Sequence, residues 1–166
     1  MKNGNTVYIG LGSNLENPIA QIKQAFSALN ALPTTHLLKH SSLYRSKPLG
    51  PPNQPDYINA VAVLKSELPP LILLNEMQII ENKQGRIRSG QRWGPRTLDL
   101  DMLLYSDKLS QDPQLILPHP GLYERAFVLH PLHEIVPNLV LPNGQTLSHL
   151  VQHCSARELR IVNGEC

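Results

Sequence analysis

The hydrophobic positions of this chain change period several times, and the changes outline its elements. Thr6–Leu11 alternates, with Val7, Ile9 and Leu11 on one side, which predicts a strand. Gly10 and Gly12-Ser13-Asn14 follow as a tight exit. With no GxxxxGK[ST] and no GxGxxG, that exit reads as a strand-to-helix turn and not as a phosphate loop. From Pro18, the residues Ile19, Ile22, Phe26, Leu29 and Leu32 recur at helical spacing until Pro33. His36–Arg45 and Tyr57–Leu64 read as strands. Pro69-Pro70 opens a second helix with Leu73, Met77 and Ile80 on its core face, and Thr97–Tyr105 is a further strand. Leu122–Val136 looks helical around Pro131, which divides it or marks a new start. Pro142-Asn143-Gly144 is a turn, and Leu147–Cys154 a short last helix.

The first six elements spell βαββαβ, a split β-α-β unit repeated, so the expected class is α+β with a ferredoxin-like core. Two loops interrupt the pattern. Ser46–Asp56 carries four prolines and one glycine, which excludes helix and strand and suggests a binding or lid loop. Gly85–Gly94 is polar, rich in arginine, contains Trp93, and runs straight into the Thr97–Tyr105 strand.

That strand breaks the apolar rule. In TLDLDMLLY, Leu98, Leu100 and Met102 share one face while Thr97, Asp99, Asp101 and Leu103 share the other. Residues i and i+2 sit roughly 6.5–7 Å apart along a strand, so one multivalent cation or a close pair can bridge both carboxylates. Unpaired carboxylates facing a core cost several kcal/mol each. Mg²⁺ carrying a phosphate chain is the cation that residues of this type suit.

At 166 residues the chain reads as one domain, 1–166, with a real core; 41% apolar and 17% charged residues fit an ordinary soluble protein. A net charge of +2 is too small to argue for duplex nucleic acid, yet Arg86, Arg88, Arg92 and Arg96 concentrate charge locally. No stretch approaches a membrane span and the opening MKNGNTVYIGLGSN lacks a signal-peptide pattern, so the expected location is the cytoplasm. Cys154 and Cys166 read as free thiols, and His130-x-x-His133 as structural.

Several segments together resemble the 6-hydroxymethyl-7,8-dihydropterin pyrophosphokinases of folate biosynthesis. These are YIGLGSNL; Pro48-Leu49-Gly50-Pro51 with Gln54-Pro55-Asp56-Tyr57-Ile58-Asn59-Ala60; Glu81; Gly85-Arg86; RWGPRTLDLD; Leu117-Pro118-His119-Pro120; and Arg125-Ala126-Phe127-Val128-Leu129. The order is the same, and the resemblance runs from about Val7 to Leu150. It implies transfer of the β,γ-diphosphate of ATP to the pterin 6-hydroxymethyl group, leaving AMP, on a three-layer α/β/α fold whose antiparallel sheet is flanked by helices. It implies two Mg²⁺ ions on Asp99 and Asp101, with Arg86 and Arg96 gripping the phosphates.

By the same resemblance, Tyr57 and Phe127 sandwich the pterin, Asn59 reads its edge, Ser46 and Leu49 contribute from the first loop, and Trp93 covers the site. Gln78, Glu81 and His119 match nucleotide contacts. Met102 marks where backbone groups read adenine, Arg125 lies near ATP, and Arg88, Arg92 and Trp93 add to nucleotide binding. Lys47, Gln114, Ile116 and Pro120 depart from the family pattern around the outer nucleotide contacts. The implied partners are small molecules, ATP and 6-hydroxymethyl-7,8-dihydropterin, with no nucleic acid and no membrane, acting on a monomer. Two rival readings are a Mg-dependent nucleotidyltransferase and an RNA-binding ferredoxin-like module. The second would need aromatics where Asp99 and Asp101 stand.

Overall fold

The computed structural model describes residues 4–15, 17–47, 54–85, 97–156 and 159–162. In chain order the elements are β1 (Asn5–Ser13), α1 (Pro18–Asn30), β2 (Thr35–His40), β3 (Tyr44–Ser46), β4 (Tyr57–Ser66), α2 (Pro70–Lys83) and β5 (Asp99–Tyr105). Then come β6 (Ser110–Asp112), β7 (Leu115–Leu117), α3 (Ala126–Ile135), α4 (Leu147–Gln152) and β8 (Arg160–Ile161). The class is α+β. Its main sheet has six strands in the order β5-β1-β4-β3-β8, with β2 also on β4, and its paired neighbours run antiparallel.

Strand alternation sends two sets of side chains to opposite faces. Val7, Ile9, Leu11, Ile58, Ala60, Leu64, Leu100 and Met102 pack against Ile22, Phe26 and Leu29 of α1 and Leu73, Met77 and Ile80 of α2. Val61, Leu103 and Leu104 pack on the other side with Val128, Leu129 and Leu132 of α3 and Leu147 of α4. The second cluster is smaller, and part of its face is left to polar residues.

Three expectations are corrected in detail. The single strand expected over His36–Arg45 is two, because the Ser41 hydroxyl takes the Val61 amide (2.9 Å) where a backbone carbonyl would continue the ladder. Pro131 neither divides nor starts a helix; it lies inside α3. In β5 strict alternation stops at a β-bulge: Tyr8 faces Leu104 and Ile9 faces Met102, leaving Leu103 as the extra residue. Leu103 and Leu104 therefore both pack on the α3 side, and the Leu103 carbonyl accepts the His119 amide (3.0 Å). The two- and three-residue strands β6, β7 and β8 show no period long enough to read in sequence.

Candidate active site

Asp99 and Asp101 are the first and third residues of β5, and the alternation read from the sequence holds there: Leu98, Leu100 and Met102 are buried on the α1/α2 side. The register across the sheet then decides what lies beside them. Gly12 pairs with Asp99 and Gly10 with Asp101, while on the far side of β1 Gly12 pairs with Asn59 of β4. Asn59 in turn pairs with Tyr44 of β3. Asp99, Gly12, Asn59 and Tyr44 thus form one transverse row on one face, with strands roughly 4.8 Å apart. The glycine leaves a trough between carboxylate and amide. A Cβ at Gly12 would sit 3.4 Å from Asn59 Oδ1 and 3.6 Å from the Tyr57 ring, on the floor of that trough.

Around it opens a cleft lined among others by Gly10, Gly12, Ser46, Tyr57, Asn59, Asp99, Asp101, Arg125 and Phe127. Lys47, one of the departures from the family pattern, also lines it and adds a cation at its mouth. Asn59 is buried, and its amide donates to Ser46 Oγ (2.5 Å), which fixes how the amide presents itself to the cleft. Tyr57 pairs with Ser46 across β3 and β4. Phe127 is in the first turn of α3, and the Arg125 guanidinium carbon lies 5.8 Å from its ring centroid, within cation–π range.

Asp101 does not face a dry core. Its side chain is 38% exposed toward the cleft, so the cost expected for a carboxylate in an apolar strand is largely avoided. His119 Nε2 lies 3.7 Å from Asp101 Oδ1. Because His119 Nδ1 accepts the Gly121 amide (3.0 Å), the neutral ring carries its proton on Nε2 and presents an N–H toward Asp101. A Cβ at Gly121 would fall 2.3 Å from Arg125 Nε, so the missing side chain is what lets the guanidinium cross there.

The remaining candidates divide. Glu81 of α2 is buried, and its Oε2 accepts the Leu100 amide (2.8 Å), which satisfies the outer edge of β5 midway between the two aspartates. Gln78 is exposed on the same helix, and the Met102 side chain is in the core of the opposite face. Leu49, Arg86, Arg88, Arg92, Trp93 and Arg96 lie outside the described residues. The departures Gln114 and Ile116 belong to the β6–β7 hairpin, where Asp112 Oδ1 accepts the Gln114 amide (2.9 Å) and Ile116 is exposed. His130 and His133 bond the Cys154 carbonyl (2.9 Å) and Ser148 Oγ (3.4 Å), as structural residues do.

The turn Gly12-Ser13-Asn14 does more than reverse the chain. Ser13 Oγ donates to the Thr97 carbonyl (2.5 Å), and Asn14 Nδ2 donates to Gln54 Oε1 (2.9 Å) and the Pro55 carbonyl (3.0 Å). Both side chains are buried, and they tie down the points where the two long loops rejoin the sheet. The available signal was two polar residues directly after a core strand.

The comparisons with known proteins agree with one another. The model of the 7,8-dihydro-6-hydroxymethylpterin-pyrophosphokinase (HPPK) family matches residues 8–137. The 2-amino-4-hydroxy-6-hydroxymethyldihydropteridine pyrophosphokinase of Haemophilus influenzae is 51% identical over 158 residues, covering 95% of this chain and 98% of that protein. The protein of the same name from Pseudomonas aeruginosa is 50% identical over 148 residues, covering 89% of this chain and 91% of its own. Among solved structures, wild-type Plasmodium falciparum HPPK-DHPS superposes with a TM-score of 0.68 at 15% identity, over 90% of this chain and 44% of that one. Its complex with pteroate gives 0.71 at 14% identity, over 90% and 42%. The chain thus spans under half of those longer proteins, and at that identity they report on fold alone.

Proposed function

The chain belongs to the 7,8-dihydro-6-hydroxymethylpterin-pyrophosphokinase family, and from this we infer how its own residues carry the reaction. It transfers a diphosphate from ATP, its co-substrate, to 6-hydroxymethyl-7,8-dihydropterin, a step of folate biosynthesis. In our reading the hydroxymethyl oxygen attacks the β-phosphorus in line. The bond from that phosphorus to the α,β-bridging oxygen breaks, AMP leaves with the bridging oxygen, and the hydroxyl proton passes to solvent.

The observation that carries this reading is the transverse row and its neighbours on the same face: Asp99, with Asp101 two residues along β5, is separated by Gly12 from Asn59, with Tyr57 two residues along β4, and all five line one cleft. Asp99 and Asp101 would hold two Mg²⁺ ions; two same-face carboxylates lining an open cleft are a donor set of the right chemistry. Magnesium, when bound, supplies charge neutralisation at the phosphate oxygens. Tyr57 and Phe127 stack on the pterin, Asn59 reads its edge with Ser46 holding the amide, and Leu49 adds a contact from the first loop. His119 offers its Nε2–H and Arg125 its guanidinium to the nucleotide side. Gln78 and the backbone at Met102 contact the nucleotide, and Glu81 serves it by fixing β5. Arg86, Arg88, Arg92 and Arg96 grip the phosphates, and Trp93 covers the site. We assign no general base, because His119 presents a donor where a base would need a lone pair.

The strand order supports the ferredoxin-like reading, with β2 and β3 as two halves of one strand in βαββαβ and helices on both faces. We take the protein to be a single-domain, cytoplasmic monomer without nucleic-acid or membrane partners; no described helix is long and apolar enough to cross a membrane. Incubation with Mg-ATP and the pterin should yield AMP and the pterin diphosphate in equal amounts. Free pyrophosphate with an adenylylated acceptor would replace this reading with nucleotidyl transfer.

A further inference from the structure

The pterin side of the cleft is built from two elements far apart in sequence, β3 with Ser46 and α3 with Phe127, and the structure assigns to Glu134 the task of joining them. The Glu134 carboxylate accepts from three groups of the β2–β3 connection and β3. The Ser42 amide lies 3.1 Å from Oε1 and 3.0 Å from Oε2, Ser42 Oγ donates to Oε2 (2.8 Å), and the Tyr44 hydroxyl donates to Oε1 (2.5 Å). Both carboxylate oxygens are used, so one side chain of α3 ties down the β2–β3 connection and β3 together.

Each end of this link leads into the cleft. Tyr44 is the cross-strand partner of Asn59, and Ser46, two residues on, pairs with Tyr57 and accepts from the Asn59 amide. Glu134 is seven residues after Phe127, about two helical turns, so the two side chains share one face of α3 roughly 10.5 Å apart. A shift of the helix relative to β3 would therefore change the gap between Phe127 and the Tyr57–Asn59 wall.

Helix α3 also needs an external hold. It has ten residues, its N-cap Arg125 makes no side-chain capping bond to the first turn, and Pro131 removes the amide that the Phe127 carbonyl would accept. The buried Tyr44 hydroxyl is pushed upward in pKa, by burial first and then by Glu134, so it stays a donor throughout the physiological range.

Glu134 is thus a positioning residue for the pterin subsite, an inference that rests on the pterin site proposed above. The test measures binding of 6-hydroxymethyl-7,8-dihydropterin by its fluorescence, with Mg²⁺ and a non-hydrolysable ATP analogue. It adds KM for each substrate and a thermal melt. Glu134→Gln keeps one acceptor and should weaken pterin binding about five- to tenfold with KM for ATP within about twofold, because the bonds are charge-assisted yet partly solvated. Tyr44→Phe, which removes a single hydroxyl and is the variant to use if Glu134→Gln does not fold, should weaken it in the same direction by about two- to threefold. The double variant should weaken binding by less than the product of the two single effects. Folded variants that bind pterin as the parent does, or that lose both substrates equally, overturn the inference. Phe127→Ala is measured alongside. If it too leaves pterin binding intact, the pterin site itself is wrong; if it alone weakens binding, only the role of Glu134 fails.

Discussion

The two faces of one sheet have opposite designs, although the same strands make both. Toward α1 and α2, β1, β4 and β5 present Val7, Ile9, Leu11, Ile58, Ala60, Leu100 and Met102, a continuous apolar surface. Toward α3, the same strands bury Val61, Leu103 and Leu104 at one end and at the other present Gly10, Gly12, Tyr57, Asn59, Asp99 and Asp101, which line a cleft. One face fixes the backbone to ångström tolerance; the other spends that rigidity on holding carboxylates, an amide and aromatic rings at set spacings. Stability and chemistry are therefore separable here by a shift of one residue along a strand.

The sharpest way to break the contrast is to change neighbours on β5. Asp99→Ala/Asp101→Ala should lower AMP formation more than about a thousandfold while the melting temperature stays level or rises, since two like charges are removed. A large fall in melting temperature would mean the pair is structural. Leu100→Ala, between them but on the other face, should cost about 2–4 kcal/mol in urea unfolding while KM for both substrates in the folded fraction stays near the parent value.

Asn59→Ala sharpens the comparison within the cleft. Pterin affinity should drop about tenfold with ATP affinity unchanged, as equilibrium binding would show. The smallest effect is alkaline. Tyr44 holds its proton above the ordinary 10.0 because it is buried and because Glu134 accepts from it. Above pH 10.0 the unfolded tyrosine ionises while the folded one does not, so the folded state binds more protons and stability falls as pH rises; below 10.0 the contribution is complete. Urea midpoints between about pH 9 and pH 11 should fall less steeply for Tyr44→Phe than for the parent. Some slope should remain from Tyr8, Tyr105 and Tyr123, which burial shifts the same way.

Much of this was legible in the sequence because it is periodic or local. The alternation in TLDLDMLLY put Asp99 and Asp101 on the face opposite Leu98, Leu100 and Met102, and the prolines at 18 and 69–70 opened helices where expected. What escaped depends on contacts distant along the chain. Nothing near Ser41 says that its hydroxyl will replace a carbonyl in the ladder to Val61, and nothing near Leu103 says that it will bulge. The trough at Gly12 exists only once β1 is set between β4 and β5. Glu134 meets Tyr44 across ninety positions, with no local pattern to announce it.

The most direct test of the account counts Mn²⁺ bound per chain by electron paramagnetic resonance, in the complex with a non-hydrolysable ATP analogue and the pterin. The parent protein should bind two ions, and Asp99→Ala/Asp101→Ala no more than the one carried by the nucleotide. Two ions in both proteins would contradict the account.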